Sequence, residues 1–420
     1  MVAARKQYIK MVFGGTLIII IFIFAIFSVL YGSFFRTPAR KLPGLVIDFD
    51  GGFVGASVVA GLTTPGPAIA TSQIAWHAVP SVMFPGGLQQ VNETVSEQQQ
   101  WVIVTVNPGA SDRLSAALAN PNSTYNGREA VTIVATEARN ENAYRSMIVP
   151  STQQSLTIIS SQFAMQLARN LSLSPVIQEV MTTSPQTLVM PISFNLYNLQ
   201  PFNQPLATLV VFVGLIFVII LSFFVVVKKM ISNAAREASG LTRLLRLRSL
   251  ITVRLVSAFV AYFFISLFNS LLSVAFQLDI WDKFGRSSFL VFWMMNYCGM
   301  LALGLALESM ITILGAAFVP FFLLAWIMIN VAVTVWPIEV LPLLYHYGYA
   351  APFYNITKIA RTIIFRTRNR AYFHFIVLII WTIISCISLT VFQVFTRRKQ
   401  VIALRQQQER KRFSIASSKH

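Results

Sequence analysis

Charged residues are scarce in this sequence. Asp, Glu, Lys and Arg together make up 11% of the 420 residues, against about 25% in an average soluble protein. Hydrophobic residues make up 55%, and the mean hydropathy is +0.64. This composition excludes a water-soluble protein and predicts a chain that lies largely inside a membrane.

Cysteine is nearly absent, and acidic residues are few. Cys298 and Cys386 both lie in apolar runs, so a domain outside the membrane would have no internal disulfide. The 33 basic residues outnumber the 15 acidic ones and give a net charge of +18. They cluster at the edges of apolar runs, which is typical of membrane topology, and no nucleic-acid partner is expected.

Motifs of common enzyme and cofactor sites are also missing. There is no G-x-x-x-x-G-K-[ST] phosphate loop, and the four histidines are scattered without a second ligand nearby. Asp48 and Asp50 resemble the start of a calcium loop, but Val59 stands where a bidentate glutamate is required. The sequence therefore predicts no enzyme, no cofactor and no metal site, and it favours a strand-end turn for the two aspartates.

Six charge-free apolar runs are long enough to cross about 30 Å of hydrocarbon. The first, residues 11–35, lacks the exit of a cleaved signal peptide and predicts a signal anchor. The other five lie within residues 206–396, at Leu206–Val227, Leu255–Leu278, Ser287–Leu307, Ser309–Ile338 and Ala371–Thr396. We therefore expect six transmembrane helices, of which the last five form one bundle.

The basic residues at the ends of the runs predict the orientation. Residues 1–10, 228–254 and 397–420 hold 18 of the 33 basic residues, which places both termini in the cytoplasm and residues 36–205 on the outer side. The hairpin 337–370 should then also lie outside, although it is basic. Two interpretations stay open for it, contact with outer-leaflet headgroups or a re-entrant loop, and the basic residues concerned are Lys358, Arg361, Arg366, Arg368 and Arg370.

Residues 36–205 mix the periods of strands and helices. LPGLVIDFD, WVIVTVNP and EAVTIVATEA are rich in Val and Ile and predict buried strands. SDRLSAALA and residues 153–171 have helical spacing. We expect an α+β extracytoplasmic domain. All four glycosylation sequons fall on the predicted outer side and are predicted glycosylation sites, at Asn92, Asn122, Asn170 and Asn355.

A few polar residues inside the apolar runs are candidates for transport or gating. Glu308 would be a functional carboxylate if it lay at membrane depth. The sequence favours a tight cytoplasmic turn between spans four and five, with the carboxylate in water. Asn296 and Asn330, like Asn269, either bond between helices or line a substrate path. Pro320 predicts a kink in the fifth span.

The link 228–254 contains an alternation of Leu and Arg. Arg243, Arg246 and Arg248 lie among leucines, a pattern that suits an interfacial helix held by anionic lipid. A docking helix for a cytoplasmic partner would have the same pattern. These three arginines are therefore candidates for coupling or for lipid contact.

One span, a large outer domain and five further spans resemble the membrane subunits of type-2 ABC exporters and bacterial phage-infection proteins. VNPGASDRLSAAL, EARNENAYRSMIVPS and YHYGYAAPFYN resemble the fungal nitrosoguanidine-resistance family. That family is regarded as plasma-membrane proteins of drug resistance, with a role in phospholipid distribution. The resemblance implies a type-2 permease-like fold, with Arg243 near the coupling-helix position and residues 345–370 in an outer re-entrant hairpin.

These expectations lead to two hypotheses for function. In the first, the protein is a plasma-membrane permease that exports lipids or amphipathic toxic compounds. In the second, it is a non-transporting scaffold or regulator of lipid asymmetry. Membrane lipids are expected partners in both. A separate cytoplasmic ATPase or regulatory partner and a homodimer stay open.

Overall fold

The computed structural model describes residues 2–64, 66, 70–172, 174–238, 246–315 and 318–417. A sheet domain formed by residues 42–198 is followed by a helical bundle. Five of the described helical segments are long and apolar enough to cross a membrane: Ala4–Phe34, Leu209–Ser232, Leu247–Ala275, Trp281–Leu314 and Ala371–Lys399. The chain is therefore a membrane helical protein.

In the part of the sheet domain that the structure describes, there are five strands with helices on both sides of them. The strands are β1 Leu42–Asp48, β2 Ile74–Pro80, β3 Val102–Val106, β4 Val131–Ala135 and β5 Phe194–Asn198. After α1 Val2–Phe22 and α2 Ser28–Phe34, its helices are α3 Phe53–Thr63, α4 Gly87–Ser96, α5 Ala110–Ala119, α6 Glu141–Ala143, α7 Val149–Leu171, α8 Val176–Thr183 and α9 Pro185–Val189. The three predicted strands are confirmed as β1, β3 and β4.

The sheet is mixed, with the order β2-β1-β3-β4-β5. Only β3 and β4 pair antiparallel, and the other three pairs are parallel. Every residue of β3 and β4 is buried, because α3, α5 and α7 cover one face and α4 covers the other. Burial on both faces explains why these strands are near-continuous runs of Val and Ile, interrupted by one threonine each, rather than alternating patterns.

The remaining helices of the described residues form the bundle. They are α10 Gly214–Ala238, α11 Leu247–Ala275, α12 Trp281–Phe284, α13 Ser288–Leu314, α14 Val319–Val331, α15 Pro352–Phe365 and α16 Ala371–Ser417. Five-residue π-helical turns precede α2, α7 and α10, and short 3-10 helices occupy Ile338–Val340 and Leu343–Ala350.

The predicted fifth span, Ser309–Ile338, is not one helix. Residues 309–314 continue α13, which ends where Gly315 takes a positive φ and donates to the Ile311 carbonyl. The next helix, α14, has 13 residues and is about 20 Å long, short of the hydrocarbon thickness. Pro320 lies in its first turn, where a missing N–H has no cost, so it begins a helix instead of kinking one.

Small residues let three bundle helices approach closely. Gly304 of α13 faces Tyr262 of α11, so that a methyl group at position 304 would overlap the tyrosine hydroxyl. That hydroxyl donates to the carbonyl of Ser222 in α10 at 3.3 Å. Tyr262 is fully buried, and the close contact follows the small-residue packing of membrane helices.

The segment after α14 packs into the sheet domain. Val340 is fully buried in the same apolar cluster as residues of β1, β3 and β4, with Trp336 packed against it. The Val340 carbonyl accepts a hydrogen bond from the Ala39 N–H at 2.8 Å. The side-chain amides of Asn140 and Asn142 donate to the Val335 carbonyl at 3.2 and 3.1 Å. The sheet domain and the bundle therefore share part of one core.

Candidate functional site

Glu308 does not lie in a turn. It lies inside α13 with a side chain only 1% exposed, so the prediction of a hydrated carboxylate between two spans is wrong. Its two oxygens accept from Lys229 Nζ of α10 and from Arg254 Nε of α11, both at 2.7 Å. An isolated charge at this depth would be very costly, and the two cations supply the compensation.

Arg254 extends this cluster to a fourth helix. Its guanidinium also donates to Gln393 of α16 and to the Thr312 hydroxyl of α13. The Thr396 hydroxyl of α16 donates to the Thr312 carbonyl at 3.3 Å. We call Lys229, Arg254, Glu308, Thr312 and Gln393 the ion cluster; it joins α10, α11, α13 and α16 at the ends away from the sheet domain.

An apolar groove lies between α10, α11 and α13 nearer the sheet domain. Its volume is about 630 Å³, and it is lined mainly by leucine, valine and phenylalanine. Three polar residues face it, Asn269 and Ser273 from α11 and Asn296 from α13. Among the residues that the structure describes, none forms a hydrogen bond with the Asn269 side-chain amide. An unpaired amide in an apolar wall is a position for a polar group of a ligand.

The three predicted gating residues are not brought together. Asn296 lines the groove and donates to the Ser270 hydroxyl at 2.9 Å. Asn330 is fully buried, donates to the Trp326 carbonyl and accepts from the Phe353 N–H at 3.2 Å. Asn330 therefore joins α14 to α15, as in the packing interpretation, and Glu308 lies in the separate ion cluster.

The structure describes only part of the basic link 228–254. Arg243 lies outside the described residues. Arg246 immediately precedes α11 and Arg248 lies in its first turn, both exposed. Residues 247–254 are thus part of the same helix as the span and do not form a separate interfacial helix.

Three of the four sequon asparagines can be reached from solvent. Asn92, Asn122 and Asn170 are exposed on the sheet domain. Asn355 is fully buried in α15, where its amide donates to the carbonyls of Tyr349 and Ala351 and its oxygen contacts His374 Nδ1 at 2.8 Å. A buried amide with these partners cannot receive a glycan, so the structure argues against the predicted site at Asn355.

Asp48 and Asp50 form the predicted turn. Asp48 accepts from the N–H groups of Asp50 and Gly51, and Asp50 accepts from the N–H and hydroxyl of Ser111 at 2.9 and 2.5 Å. Burial would raise the pKa of Asp50, but the hydrogen bonds from Ser111 outweigh it and hold the pKa below its usual value. Within the described ranges, no three His, Cys, Asp or Glu side chains are grouped to hold a metal.

Charged residues from distant parts of the sequence form a group between the sheet domain and the bundle. Arg361 of α15 is buried, pairs with Glu141 at 2.5 Å and donates to the Ala138 carbonyl. Arg139 stacks on the Trp101 ring, 3.6 Å from its centre, and lies 3.7 Å from Glu339. These residues come from EARNENAYRSMIVPS and from the basic hairpin, so two separate sequence signals meet at one place.

The comparisons with known proteins agree with a membrane protein. A family model described as "Protein of unknown function (DUF3533)" matches residues 15–387. A relative in Saccharomyces cerevisiae, named "Uncharacterized endoplasmic reticulum membrane protein YJR015W", is 24% identical over 399 residues, covering 87% of this chain and 76% of the relative. No solved structure is a significant match.

Proposed function

The chain belongs to the family described as protein of unknown function (DUF3533), and we propose that it binds a lipid or another amphipathic molecule in the membrane and moves it outward. The observation that carries this proposal is the apolar groove between α10, α11 and α13. Its volume of about 630 Å³ lies within the range of small-molecule sites. Its wall combines apolar side chains with a few polar groups, which suits a molecule that has both characters.

The position of the groove suits a ligand that enters from the bilayer. It is lined from Leu206 and Leu278, near the sheet domain, down to Phe224 and Asn296 inside the bundle. Asn269, Ser273 and Asn296 can hold the polar part while the phenylalanine and leucine side chains contact the chain of the ligand. The resemblance to exporter subunits and the fungal resistance family supports export as the direction.

The topology that goes with this function has six crossings. We propose that α14 and residues 332–337 together complete the fifth crossing. The reason is that the Val335 carbonyl accepts hydrogen bonds from Asn140 and Asn142 of the sheet domain. Both termini then lie in the cytoplasm, and the sheet domain lies outside it, in agreement with the distribution of basic residues.

Two membranes are consistent with this orientation. The fungal resemblance favours the plasma membrane, whereas the printed name of the yeast relative places that relative in the endoplasmic reticulum. We propose the plasma membrane as the site of export. A fluorescent tag on the full-length chain that stays with an endoplasmic reticulum marker would overturn this choice.

The source of energy is proposed to be a separate cytoplasmic ATPase.

The alternative function is a scaffold or regulator of lipid asymmetry that moves nothing itself. The ion cluster favours this second candidate, because contacts from four helices oppose the opening of the bundle at that end.

Reconstitution into liposomes tests the proposal. A fluorescent phosphatidylcholine is placed in one leaflet, and its movement is followed by quenching from outside, with and without ATP and a membrane extract containing soluble ATPases. Ser273→Trp should reduce the rate at least tenfold because it fills the groove. Ile380→Trp, on the outward face of α16 where Ile380 is 48% exposed, is the matched control and should keep the rate.

Two outcomes contradict transport. Wild-type vesicles that move the lipid no faster than empty ones under all conditions favour the scaffold. Equal rates for wild type and Ser273→Trp, with the variant correctly folded, show that the groove is not the path.

A further inference from the structure

A second cavity lies where the sheet domain meets the bundle. Its volume is about 260 Å³, and its lining comes from the sheet domain, from α15 and from the start of α16. We call it the junction cavity. Among the described residues, it shares no lining residue with the apolar groove, so it is a separate site from the one proposed for transport.

The junction cavity is strongly basic. Its lining contains four cations, Arg139, Lys358, Arg368 and Arg370, and one carboxylate, Glu339. Glu339 is 3.7 Å from Arg139, and Arg368 is 3.8 Å from Glu97. Both distances are longer than a hydrogen bond, so neither carboxylate occupies an N–H donor of its arginine.

Within the described residues, two of these cations have no ion pair. In the part of the chain that the structure describes, no carboxylate lies within 4 Å of Lys358 Nζ or of the Arg370 guanidinium. Lys358 is partly buried, and its ammonium group faces the Tyr354 ring at 5.4 Å. Burial lowers the pKa of Lys358 to about 8, with Glu339 and Glu141 opposing the shift and Arg139 and Arg361 adding to it.

Holding a partly buried ammonium group without an ion-pair partner is unfavourable, and a bound anion would lower that cost. The space is far larger than the 10–15 Å³ that one water needs, and a phosphate group fits it. Arginine supplies forked N–H donors for phosphate oxygens, and lysine supplies a point charge. The cavity lies at the start of α16, beside Phe373 and His374, which is the level of a lipid headgroup if α16 begins at the membrane surface.

We propose that the junction cavity binds a phosphate group, with Lys358 and Arg139 as its inner ligands and Arg370 at its rim. The phosphate is either that of a phospholipid headgroup or a free phosphate from water. Both sources have the same chemistry at the cavity, and they differ in whether a lipid chain must be attached.

The test uses the purified full-length chain in detergent micelles. One arm adds dioleoyl phosphatidic acid, a second adds inorganic phosphate, and dioleoyl phosphatidylcholine at equal amount is the lipid reference. Binding is measured by native mass spectrometry and by the shift of the melting temperature. A lipid source gives adducts and stabilisation with phosphatidic acid only, whereas a free anion gives stabilisation with inorganic phosphate.

Substitutions of its lining residues test whether the phosphate group binds in the junction cavity. The double substitution Lys358→Gln with Arg370→Gln should weaken binding at least tenfold for whichever of the two probes, phosphatidic acid or inorganic phosphate, binds the wild-type chain. Arg370→Gln alone changes an exposed side chain, and should weaken binding severalfold without a change in folding. Arg286→Gln, which removes an exposed cation near the start of α13 and outside the cavity, is the matched control and should bind like wild type.

Two results would overturn the proposal. The first is that neither probe binds the wild-type chain. The second is that binding survives Arg370→Gln and the double substitution unchanged, or falls equally with Arg286→Gln, since the attraction would then be a property of the whole basic surface.

Discussion

Glu308→Gln removes the single negative charge of the ion cluster and leaves two cations. The glutamine has nearly the same size and can still accept one hydrogen bond, so the change tests charge rather than volume. Lys229 and Arg254 would remain near each other with side chains only 15% and 10% exposed. Their two positive charges would then face each other without the Glu308 carboxylate between them.

The expected cost follows from the burial of all three side chains. Removing one partner of a buried ion pair costs about 3–5 kcal/mol, against about 0–1 kcal/mol for an exposed pair. Arg254 keeps its contacts to Gln393 and Thr312, so we expect the lower part of this range, about 3 kcal/mol. For a folded unit of about 150–250 residues, such as the helical bundle, this loss of stability corresponds to a melting temperature lower by roughly 6–12 °C.

A thiol-reactive dye measures this change in detergent. Cys298 in α13 and Cys386 in α16 are both free and only partly exposed, so they report on opening of the bundle. Asp282→Asn is the control, because Asp282 and Arg366 form an ion pair at 3.0 Å with both side chains at least half exposed. Adding Lys229→Gln to Glu308→Gln should recover part of the loss. If Glu308→Gln melts within about 2 °C of Asp282→Asn, the cluster is hydrated and the reasoning is wrong.

Three further predictions concern glycans, helix packing and acid stability. In a yeast host, Asn355→Gln should leave the glycosidase-sensitive gel mobility unchanged, whereas one glycan should be lost on substitution of Asn92, Asn122 or Asn170; a shift with Asn355→Gln would contradict its burial. Gly304→Ala should lower the melting temperature, and adding Tyr262→Phe should restore part of it; no recovery would show that the hydroxyl contact is not the cause. Because the pKa of Asp50 is lowered, its stabilising effect is present above the free-carboxyl pKa of about 3.9 and is lost as pH falls below it. Denaturant unfolding of Asp50→Asn should therefore depend less on pH in that window, and an unchanged pH dependence would contradict the assignment.

Some of the fold follows directly from local patterns. The Val and Ile runs of β3 and β4 predict strands, because a strand buried on both faces favours apolar residues at nearly every position. β2 and β5 are edge strands, and their sequences IAWHAVP and FNLYN contain proline or polar residues that weaken the signal. An edge strand pairs on one side only, so its sequence is less constrained.

The ion cluster could not be predicted from local patterns. Glu308 lies between two apolar runs, which is equally typical of a hydrated turn and of a buried charge. Lys229 and Arg254, which decide between the two, lie 79 and 54 residues away along the chain. In the sequence both belong to the positive charge that fixes orientation, and only their position in space shows the ion pairs.

The sequence did indicate the junction cavity, though in separate parts. The basic hairpin conflicts with the expected orientation, and that conflict points to Lys358, Arg368 and Arg370. Arg139 lies in a segment whose only sequence signal is its family resemblance. Pairing of these distant segments depends on the docking of residues 336–340 against the sheet, which no periodicity encodes.

The burial of Val340 in the core of the sheet domain has a consequence for synthesis of the protein. Val340 follows α10, α11, α13 and α14 in the chain, so the ribosome adds it after most of the bundle. At about 5–20 residues per second, the domain waits on the order of ten seconds with an open site in its core. A chaperone on the side of the membrane where the domain emerges would have to shield that site, and a fragment ending near residue 205 would expose it permanently.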